Sequence, residues 1–195
     1  MPRHLVAMFL TMLVCLSSCT MSSQPYSVSV PIPQDIMTVV YQDEPNQKNP
    51  ALGKRTEKWF AAVLFGECRG NQDCQMAVGH VIFNRARLNL DKRYGKGILG
   101  VVKKRKAFSC LLQSDTNRPV IDAAMRGDLD EDTPDGHAWE VAKRTAHRLL
   151  YERTYDPTKG ATHYHAVYVN PRWAHDRGMK RLASIQGHIF YKKEG

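Results

Sequence analysis

The chain has 195 residues and carries 28 Lys and Arg against 19 Asp and Glu, a formal net charge of +9. Its hydrophobic content of 43% is enough to build a core, which excludes a wholly disordered chain. No run of about 20 apolar residues occurs, which excludes an ordinary transmembrane helix. The positive charge indicates an anionic partner, which could be nucleic acid, an acidic membrane face or an acidic polymer.

The N-terminus has the pattern of an export signal. An apolar run over residues 5–16 is too short to span a bilayer but fits the core of a signal peptide. The run ends in Leu-Ser-Ser-Cys at residues 16–19, which resembles the lipobox of bacterial lipoproteins, whose Cys is acylated. We predict a signal peptide over residues 1–18 and a lipid on Cys19, with a plain secretory signal as the alternative. Thr20 in place of Asp favours an anchor in the outer membrane, facing the periplasm.

The segment after the predicted lipidation site has the composition of an extended tether. Five of the ten Pro fall between residues 20 and 50, and no Gly does. We predict a tether over residues 19–52 and a single domain over residues 53–195. Residues 48–195 hold 27 Lys and Arg against 16 Asp and Glu, so the positive charge belongs to the domain. Because the export signal places this domain outside the cytoplasm, nucleic acid is excluded as the expected partner.

Helical spacing of apolar residues predicts most of the secondary structure of the domain. The first helix is predicted over residues 56–66, which places Glu67 directly after its last turn. Asp73 is the predicted N-cap of a second helix over about residues 74–87. Further helices are predicted over residues 98–102 and 138–151.

The β-structure is predicted late in the chain. Residues 156–160, Asp-Pro-Thr-Lys-Gly, are a strong turn signal. Residues 161–169 then alternate with β-branched and aromatic side chains, which predicts a strand that pairs with residues 189–191. The predicted class is therefore α+β, mainly α-helical, with a small late β-element.

Glu67 is the first candidate for chemistry. It lies at the end of an apolar helix and is followed by Cys68, Arg69 and Gly70. A carboxyl group at the edge of an apolar pocket loses solvation, so it can stay protonated near neutral pH and act as a general acid. The alternative is an exposed Glu near a helix end that interacts with Arg69.

Residues 162–165, Thr-His-Tyr-His, are the second candidate. In a strand the side chains alternate, so His163 and His165 lie on one face and the Thr and Tyr on the other. Two His at this spacing could bind Zn²⁺ with a third ligand such as His188, His175 or an acid. Without a metal, the segment is a hydrogen-bonding strand in the wall of a cleft.

Residues 108–110, Phe-Ser-Cys, are the third candidate. A nucleophilic Cys110 would need a nearby His base, and Ser109 lacks the Gly-x-Ser-x-Gly pattern of a hydrolase serine. We therefore expect a buried Cys110 behind a core Phe108.

Four blocks of sequence together resemble the SleB-type cell-wall hydrolases, the spore-cortex-lytic family. Each block is short, but the four follow in the order of the family and span about residues 58–191. They are Glu-Cys-Arg-Gly at 67–70 leading to Val-Ile-Phe-Asn-Arg at 81–85, Phe-Ser-Cys at 108–110, Ala-Thr-His-Tyr-His-Ala at 161–166, and Pro-Arg-Trp at 171–173 leading to Gly-His-Ile-Phe-Tyr at 187–191.

The resemblance implies a lysozyme-like, mainly helical domain that cleaves the glycan of peptidoglycan. It makes Glu67 the catalytic acid of a lytic transglycosylase, which cuts the β-1,4 bond between MurNAc and GlcNAc and forms a 1,6-anhydromuramoyl end without water. One acid suffices for this reaction, whereas ordinary hydrolysis uses two carboxylates, and no second acid stands out in the sequence. We therefore expect neither a cofactor nor a metal. The implied sugar-binding residues are Phe108, Ser109, Thr162, His163, Tyr164 and His165.

The chain departs from the family pattern at three positions near the site. Cys68 stands where the family usually has Ala, Asn71 where a second acid often follows, and Leu111 where a Trp follows Phe-Ser-Cys. In an oxidising compartment we expect a disulfide between Cys68 and Cys74, which leaves Cys110 as a free thiol. Two other functions stay open: an N-acetylmuramoyl-L-alanine amidase with His-bound zinc, and a non-catalytic peptidoglycan-binding lipoprotein.

Overall fold

The structure, a computed structural model, describes residues 50–194. The predicted signal peptide over residues 1–18 and residues 19–49 of the predicted tether, including Cys19, lie outside the described residues. The helices are α1 (Pro50–Glu67), α2 (Gln72–Arg87), α3 (Asp91–Tyr94), α4 (Gly97–Val102), α5 (Arg118–Arg126) and α6 (Pro134–Tyr151), with 3₁₀ turns at Ser109–Leu111 and Arg172–His175; the strands are β1 (His163–Ala166), β2 (Met179–Ile185) and β3 (His188–Lys193). The predicted mainly α-helical class with a late β-element is confirmed. None of the described helices is both long enough and apolar enough to cross a membrane.

Helix α1 is the centre of the core. Six consecutive residues from Phe60 to Phe65 are at most 1% exposed, so this half of the helix is surrounded on every side, whereas the first half has exposed residues. It packs against α2, α4, α5 and α6. The predicted helix over residues 56–66 is confirmed, and it extends to Pro50 at one end and Glu67 at the other. The last turn of α1 therefore carries Glu67 to the edge of the core.

Helix α2 begins with a different cap from the predicted one. The side chain of Asn71, and not that of Asp73, accepts a 2.9 Å hydrogen bond from the backbone N–H of Cys74. Asp73 lies in the first turn, where its negative charge suits the helix N-terminus. Further along α2, Gly79 permits close packing, because a Cβ at this position would collide with Leu149 of α6.

Helix α6 begins four residues before the start predicted at residue 138. The hydroxyl of Thr133 accepts a 3.1 Å hydrogen bond from the N–H of Gly136, and Pro134 occupies the first turn. The predicted short helix over residues 98–102 is confirmed as α4. Helices α3 and α5 were not predicted, since the first has four residues and the second buries only two side chains.

The three strands form one antiparallel sheet in the order β1-β3-β2. The predicted pairing of the late segment with the first strand is confirmed, with His163 opposite Tyr191. The strand is shorter than the predicted 161–169, because the chain turns after Ala166 and leaves residues 167–169 exposed. Strand β2 was not predicted.

The turn before β1 is fixed to helix α2. The carboxylate of Asp156 accepts hydrogen bonds from the backbone N–H groups of Thr158 and Gly160, at 2.8 and 2.9 Å. The side-chain amide of Asn84 donates to Asp156 Oδ2 at 2.9 Å and to the carbonyl of Ala161 at 3.0 Å. Burial opposes the charged form of Asp156, but the hydroxyl of Thr158, which donates to Oδ1 at 2.6 Å, and the amide of Asn84 hold its pKa below the usual value. The entry of β1 is therefore held by a buried polar network.

Candidate active site

A cleft of about 430 Å³ opens where α1 ends, lined by side chains from α1, α2, the first 3₁₀ turn and β1. Five predicted site residues line it, namely Glu67, Phe108, Ser109, Tyr164 and His165. The predicted residues Thr162 and His163 do not line the cleft. The other lining residues are Gly66, Arg85, Ala107, Cys110, Asp115, Asn117, Ala166, Tyr168, Val169 and His188.

Glu67 holds its two carboxylate oxygens in different environments. Oε2 accepts a 2.9 Å hydrogen bond from the hydroxyl of Tyr164. Oε1 is buried and meets no donor at ordinary hydrogen-bond geometry within residues 50–194, although the Cys110 thiol interacts with this carboxylate. A buried polar atom without a partner costs about 1–3 kcal/mol. Because Oε1 is closed to solvent, it is not the oxygen that a ligand in the cleft reaches.

Tyr164 is a fixed hydrogen-bond donor to Glu67. Burial, followed by the negative charge of Glu67, raises the pKa of Tyr164 well above its usual value, so the hydroxyl keeps its proton. The ring packs against Phe190 and His188, with centroid distances of 5.7 and 5.6 Å. These contacts leave the hydroxyl pointing at the Glu67 carboxylate.

Arg85 brings a positive charge to the cleft, although it was not among the predicted site residues. Its Nε donates to the carbonyl of Thr162 at 2.8 Å, and its guanidinium lies 5.5 Å from the centroid of the Phe108 ring. Burial lowers the pKa of Arg85, whereas Tyr164 and Glu67 act in the opposite direction. An Arg stays charged at any ordinary pH. The feature of the sequence that could have indicated this role is a positively charged residue that directly follows a run of buried positions in α2.

Asp115 is a second carboxylate in the cleft, which the sequence did not single out. Its Oδ1 accepts a 2.9 Å hydrogen bond from the N–H of Asn117. It lies between the first 3₁₀ turn and α5, in an irregular segment whose path no periodic pattern predicts. The cleft therefore contains Glu67, a second acid and one guanidinium.

Cys110 is a free, buried thiol that lines the cleft. Burial, followed by the negative charge of Glu67, raises the pKa of this thiol, so it stays protonated and is a poor nucleophile. The thiol lies against α1 because residue 66 is Gly, where a Cβ would lie 2.7 Å from the Cβ of Cys110. This arrangement agrees with the expected buried thiol.

A disulfide joins Cys68 and Cys74, whose Cα atoms are 5.6 Å apart. It closes the loop between α1 and α2, directly after Glu67. The amide of Gln75 also donates to the carbonyl of Cys68 at 3.1 Å. The backbone after Glu67 is therefore held by a covalent bond and a buried hydrogen bond.

His163 and His165 lie on one face of β1, and both rings contact the ring of Trp173. All four of their ring nitrogens already have polar partners. Nδ1 of His163 lies 2.9 Å from Thr162 Oγ1, and its Nε2 lies 3.4 Å from Arg93. Nε2 of His165 lies 3.1 Å from the Tyr191 hydroxyl, and its Nδ1 lies 2.9 Å from a backbone carbonyl. Burial and nearby cations lower the pKa of His163 to about 4. In the described part of the chain no third ligand joins this pair, so the geometry does not support the zinc site considered from the sequence.

Residues 70–191, well over half of the chain, match the family model described as Cell Wall Hydrolase. The match begins three residues after Glu67, so the role of this carboxyl group depends on the geometry of the cleft. The chain is similar to the catalytic domain of the Bacillus cereus SleB protein, with 23% identity, 71% of this chain and 91% of that chain covered, and a TM-score of 0.48. It is also similar to the catalytic domain of the germination-specific lytic transglycosylase SleB from Bacillus anthracis, with 24% identity, 71% and 95% covered, and a TM-score of 0.48. No protein with a curated description matches the chain.

Proposed function

The chain belongs to the Cell Wall Hydrolase family, whose enzymes act on peptidoglycan, and on this premise we propose that it is a lytic transglycosylase. Its substrate is the glycan strand, and the bond cleaved is the β-1,4 bond between MurNAc and GlcNAc. Glu67 is the catalytic residue. Phe108, Ser109, Tyr164 and His165, which line the same cleft, contact the sugars.

The observation that carries this proposal is the position of the Glu67 carboxyl group, at the end of a buried helix and in the wall of the cleft. The hydroxyl of Tyr164 donates to Oε2 at 2.9 Å and fixes the carboxyl group, while Oε1 is closed to solvent. A general acid must be held where the leaving oxygen of the substrate can approach it. The glycosidic oxygen between two sugars bound in the cleft would lie against this carboxyl group.

The reaction then follows without water. Glu67 gives its proton to the glycosidic oxygen, and the bond from C1 of MurNAc to that oxygen breaks. The resulting carboxylate accepts the proton of the C6 hydroxyl of the same MurNAc as O6 bonds to C1, which restores the acid. The Tyr164 hydroxyl and the positive charge of Arg85 stabilise the carboxylate between the two steps.

Asp115 supports a second candidate function, which is ordinary hydrolysis of the same bond. Glycosidases that use water combine a general acid with a second carboxylate, and Asp115 lines the cleft that contains Glu67. Hydrolysis would leave a reducing end on MurNAc, whereas transglycosylation leaves a 1,6-anhydromuramoyl end. The products therefore distinguish the two reactions.

Mass spectrometry of the products that the full chain releases from purified sacculi tests the proposal. We expect anhydromuramoyl ends from the parent and from Asp115→Asn, and none from Glu67→Gln. Glu140→Gln is the matched control, because Glu140 pairs with Lys143 on the surface and does not line the cleft. All variants are compared at equal folded concentration, judged by circular dichroism.

Each other outcome contradicts the proposal in a distinct way. An active Glu67→Gln enzyme would exclude Glu67 as the acid. Reducing ends that disappear in Asp115→Asn would identify a hydrolase, and free stem peptides would identify an amidase. Binding to sacculi without any product would identify a non-catalytic peptidoglycan-binding protein.

We also propose that the mature chain is anchored by a lipid on Cys19 in the outer membrane, facing the periplasm. The apolar run over residues 5–16 and the Leu-Ser-Ser-Cys that follows support this location. Labelling of cells with a fatty-acid analogue should mark the parent chain but not Cys19→Ser. Label on the variant, or none on the parent, would contradict the anchor.

A further inference from the structure

Three donor atoms of the kind that soft metal ions prefer lie together beside the loop that follows Glu67. The sulfurs of Cys68 and Cys74 and a ring nitrogen of His188 all lie within 4.8 Å of one another. Nδ1 of His188 is 3.5 Å from Sγ of Cys74. Within residues 50–194, no other three His, Cys, Asp or Glu side chains bring ligand atoms this close together.

The spacing fits a tetrahedral zinc ion once the disulfide is open. With Zn–S near 2.3 Å and Zn–N near 2.0 Å, tetrahedral geometry requires a sulfur and a nitrogen about 3.5 Å apart and two sulfurs about 3.8 Å apart. The distance from Cys74 Sγ to His188 Nδ1 already has this value. The two Cys Cα atoms are 5.6 Å apart, so rotation of the side chains can separate the sulfurs without moving the backbone.

The cluster is buried on one side and open to the cleft on the other. Cys68 and Cys74 are 4% and 3% exposed, whereas His188 is partly exposed and lines the catalytic cleft, which gives a metal ion a path of entry. Nδ1 of His188 also lies 3.3 Å from the carbonyl of Gln186, which can accept a hydrogen bond from a proton on Nδ1. A metal ion bound to Nδ1 would replace that proton. The three side chains leave a fourth coordination position for water.

We propose that Cys68, Cys74 and His188 form a redox-gated metal site that binds one Zn²⁺ when the disulfide is reduced. A dithiol reductant transfers two electrons and two protons to the disulfide and becomes a disulfide itself. Zn²⁺ then displaces the two thiol protons and bonds to both sulfurs and to the neutral imidazole. The disulfide links the end of α1 to the start of α2, whereas the zinc would link both of them to the start of β3 as well.

This site goes beyond the proposed glycan cleavage, and its test needs no activity measurement. The probe is Zn²⁺ alone, added to the full chain in which Cys15 and Cys19 are replaced by Ser, so that the remaining Cys are the three in the described domain. The protein is reduced with a dithiol and freed of reductant without oxygen. Bound zinc is then measured per chain, and Co²⁺ replaces it to record the thiolate-to-cobalt absorption band.

We expect one zinc per reduced chain and none on the disulfide form. Cys74→Ser should lose the zinc and the cobalt band, and His188→Ala should weaken zinc binding by at least about tenfold, because loss of an outer-shell partner alone costs about 10- to 100-fold. His175→Ala, a surface His outside the cluster, and Cys110→Ser are the matched controls and should bind as the parent does.

Three results would overturn the site. They are a reduced chain that binds no zinc, whether it stays folded or not, full zinc binding by Cys74→Ser, and parental affinity in His188→Ala. Circular dichroism of the zinc-free and zinc-bound forms accompanies each measurement.

Discussion

Removal of the Tyr164 hydroxyl tests how the catalytic acid is positioned. In Tyr164→Phe the ring contacts with Phe190 and His188 remain, but Glu67 Oε2 loses its 2.9 Å donor. A hydrogen bond to a charged group is worth about 1.5–3 kcal/mol, and each 1.4 kcal/mol is a factor of ten in rate. We therefore expect kcat/KM to fall by about 10- to 150-fold, less than the complete loss expected for Glu67→Gln.

The assay is the initial rate of release of soluble muropeptides from purified sacculi, with the folded fraction measured by a thermal melt. Because Oε2 would lose its donor, we expect the free energy of unfolding to fall by about 0.5–1.5 kcal/mol, so rates are compared well below the melting temperature. Tyr155→Phe is the matched control, since Tyr155 is exposed and does not line the cleft. A Tyr164→Phe enzyme as active as the parent, beside an inactive Glu67→Gln, would refute this role of Tyr164.

Three further predictions concern one buried residue of α2 and two residues that line the cleft. Burial lowers the pKa of His80 from 6.5 to about 4, so as the pH falls through this range the unfolded chain takes up a proton on His80 before the folded chain does. The free energy of unfolding should therefore fall by up to about 3 kcal/mol between pH 6.5 and 4, which urea unfolding at several pH values measures. A His80→Gln variant with the same dependence of stability on pH would contradict this. Arg85→Lys replaces the planar guanidinium with an ammonium group and loses the ring contact with Phe108, so we expect kcat to fall about tenfold while the fold stays intact. An unchanged kcat on sacculi would contradict the role given to the guanidinium. Gly66→Ala places a Cβ 2.7 Å from Cys110, which should cost about 1–3 kcal/mol of stability, and a melting temperature equal to the parent's would show that the 3₁₀ turn can move away.

Local periodicity predicted the helices that supply the core but not the details of their ends. The apolar spacing of α1 and α2 is strong enough to locate both helices, because packing and pattern agree there. Asn71 and Asp73 are both good N-caps, and only the path of the chain after α1 decides that Asn71 accepts the hydrogen bond. Strand β2, with the sequence Met-Lys-Arg-Leu-Ala-Ser-Ile, lies at the edge of the sheet and lacks a regular alternation, so no pattern indicated it.

The site was predictable where one residue carries the chemistry and not where distant segments meet. Glu67 follows an apolar helix, and the sequence alone therefore indicates a carboxyl group at the edge of the core. Asp115 and Arg85 line the cleft through tertiary packing, which a single sequence does not display. Thr162 was predicted as a sugar contact, but its side chain is buried and its carbonyl instead binds Arg85, a role for which any residue type would serve.

The position of Tyr164 opposite Glu67 depends on the register of β1, and helix α2 fixes that register from one side. Two consecutive side chains of α2 hold two consecutive carbonyls before the strand: Asn84 donates to Ala161 at 3.0 Å and Arg85 to Thr162 at 2.8 Å. Because side chains in a strand alternate, a slip by one residue would place a His where the Tyr164 hydroxyl now meets the carboxylate. Asn84 and Arg85 therefore connect the packing of the core to the geometry of the active site. The helix whose apolar side chains lie in the core also determines that Tyr164 is the residue of β1 that faces Glu67.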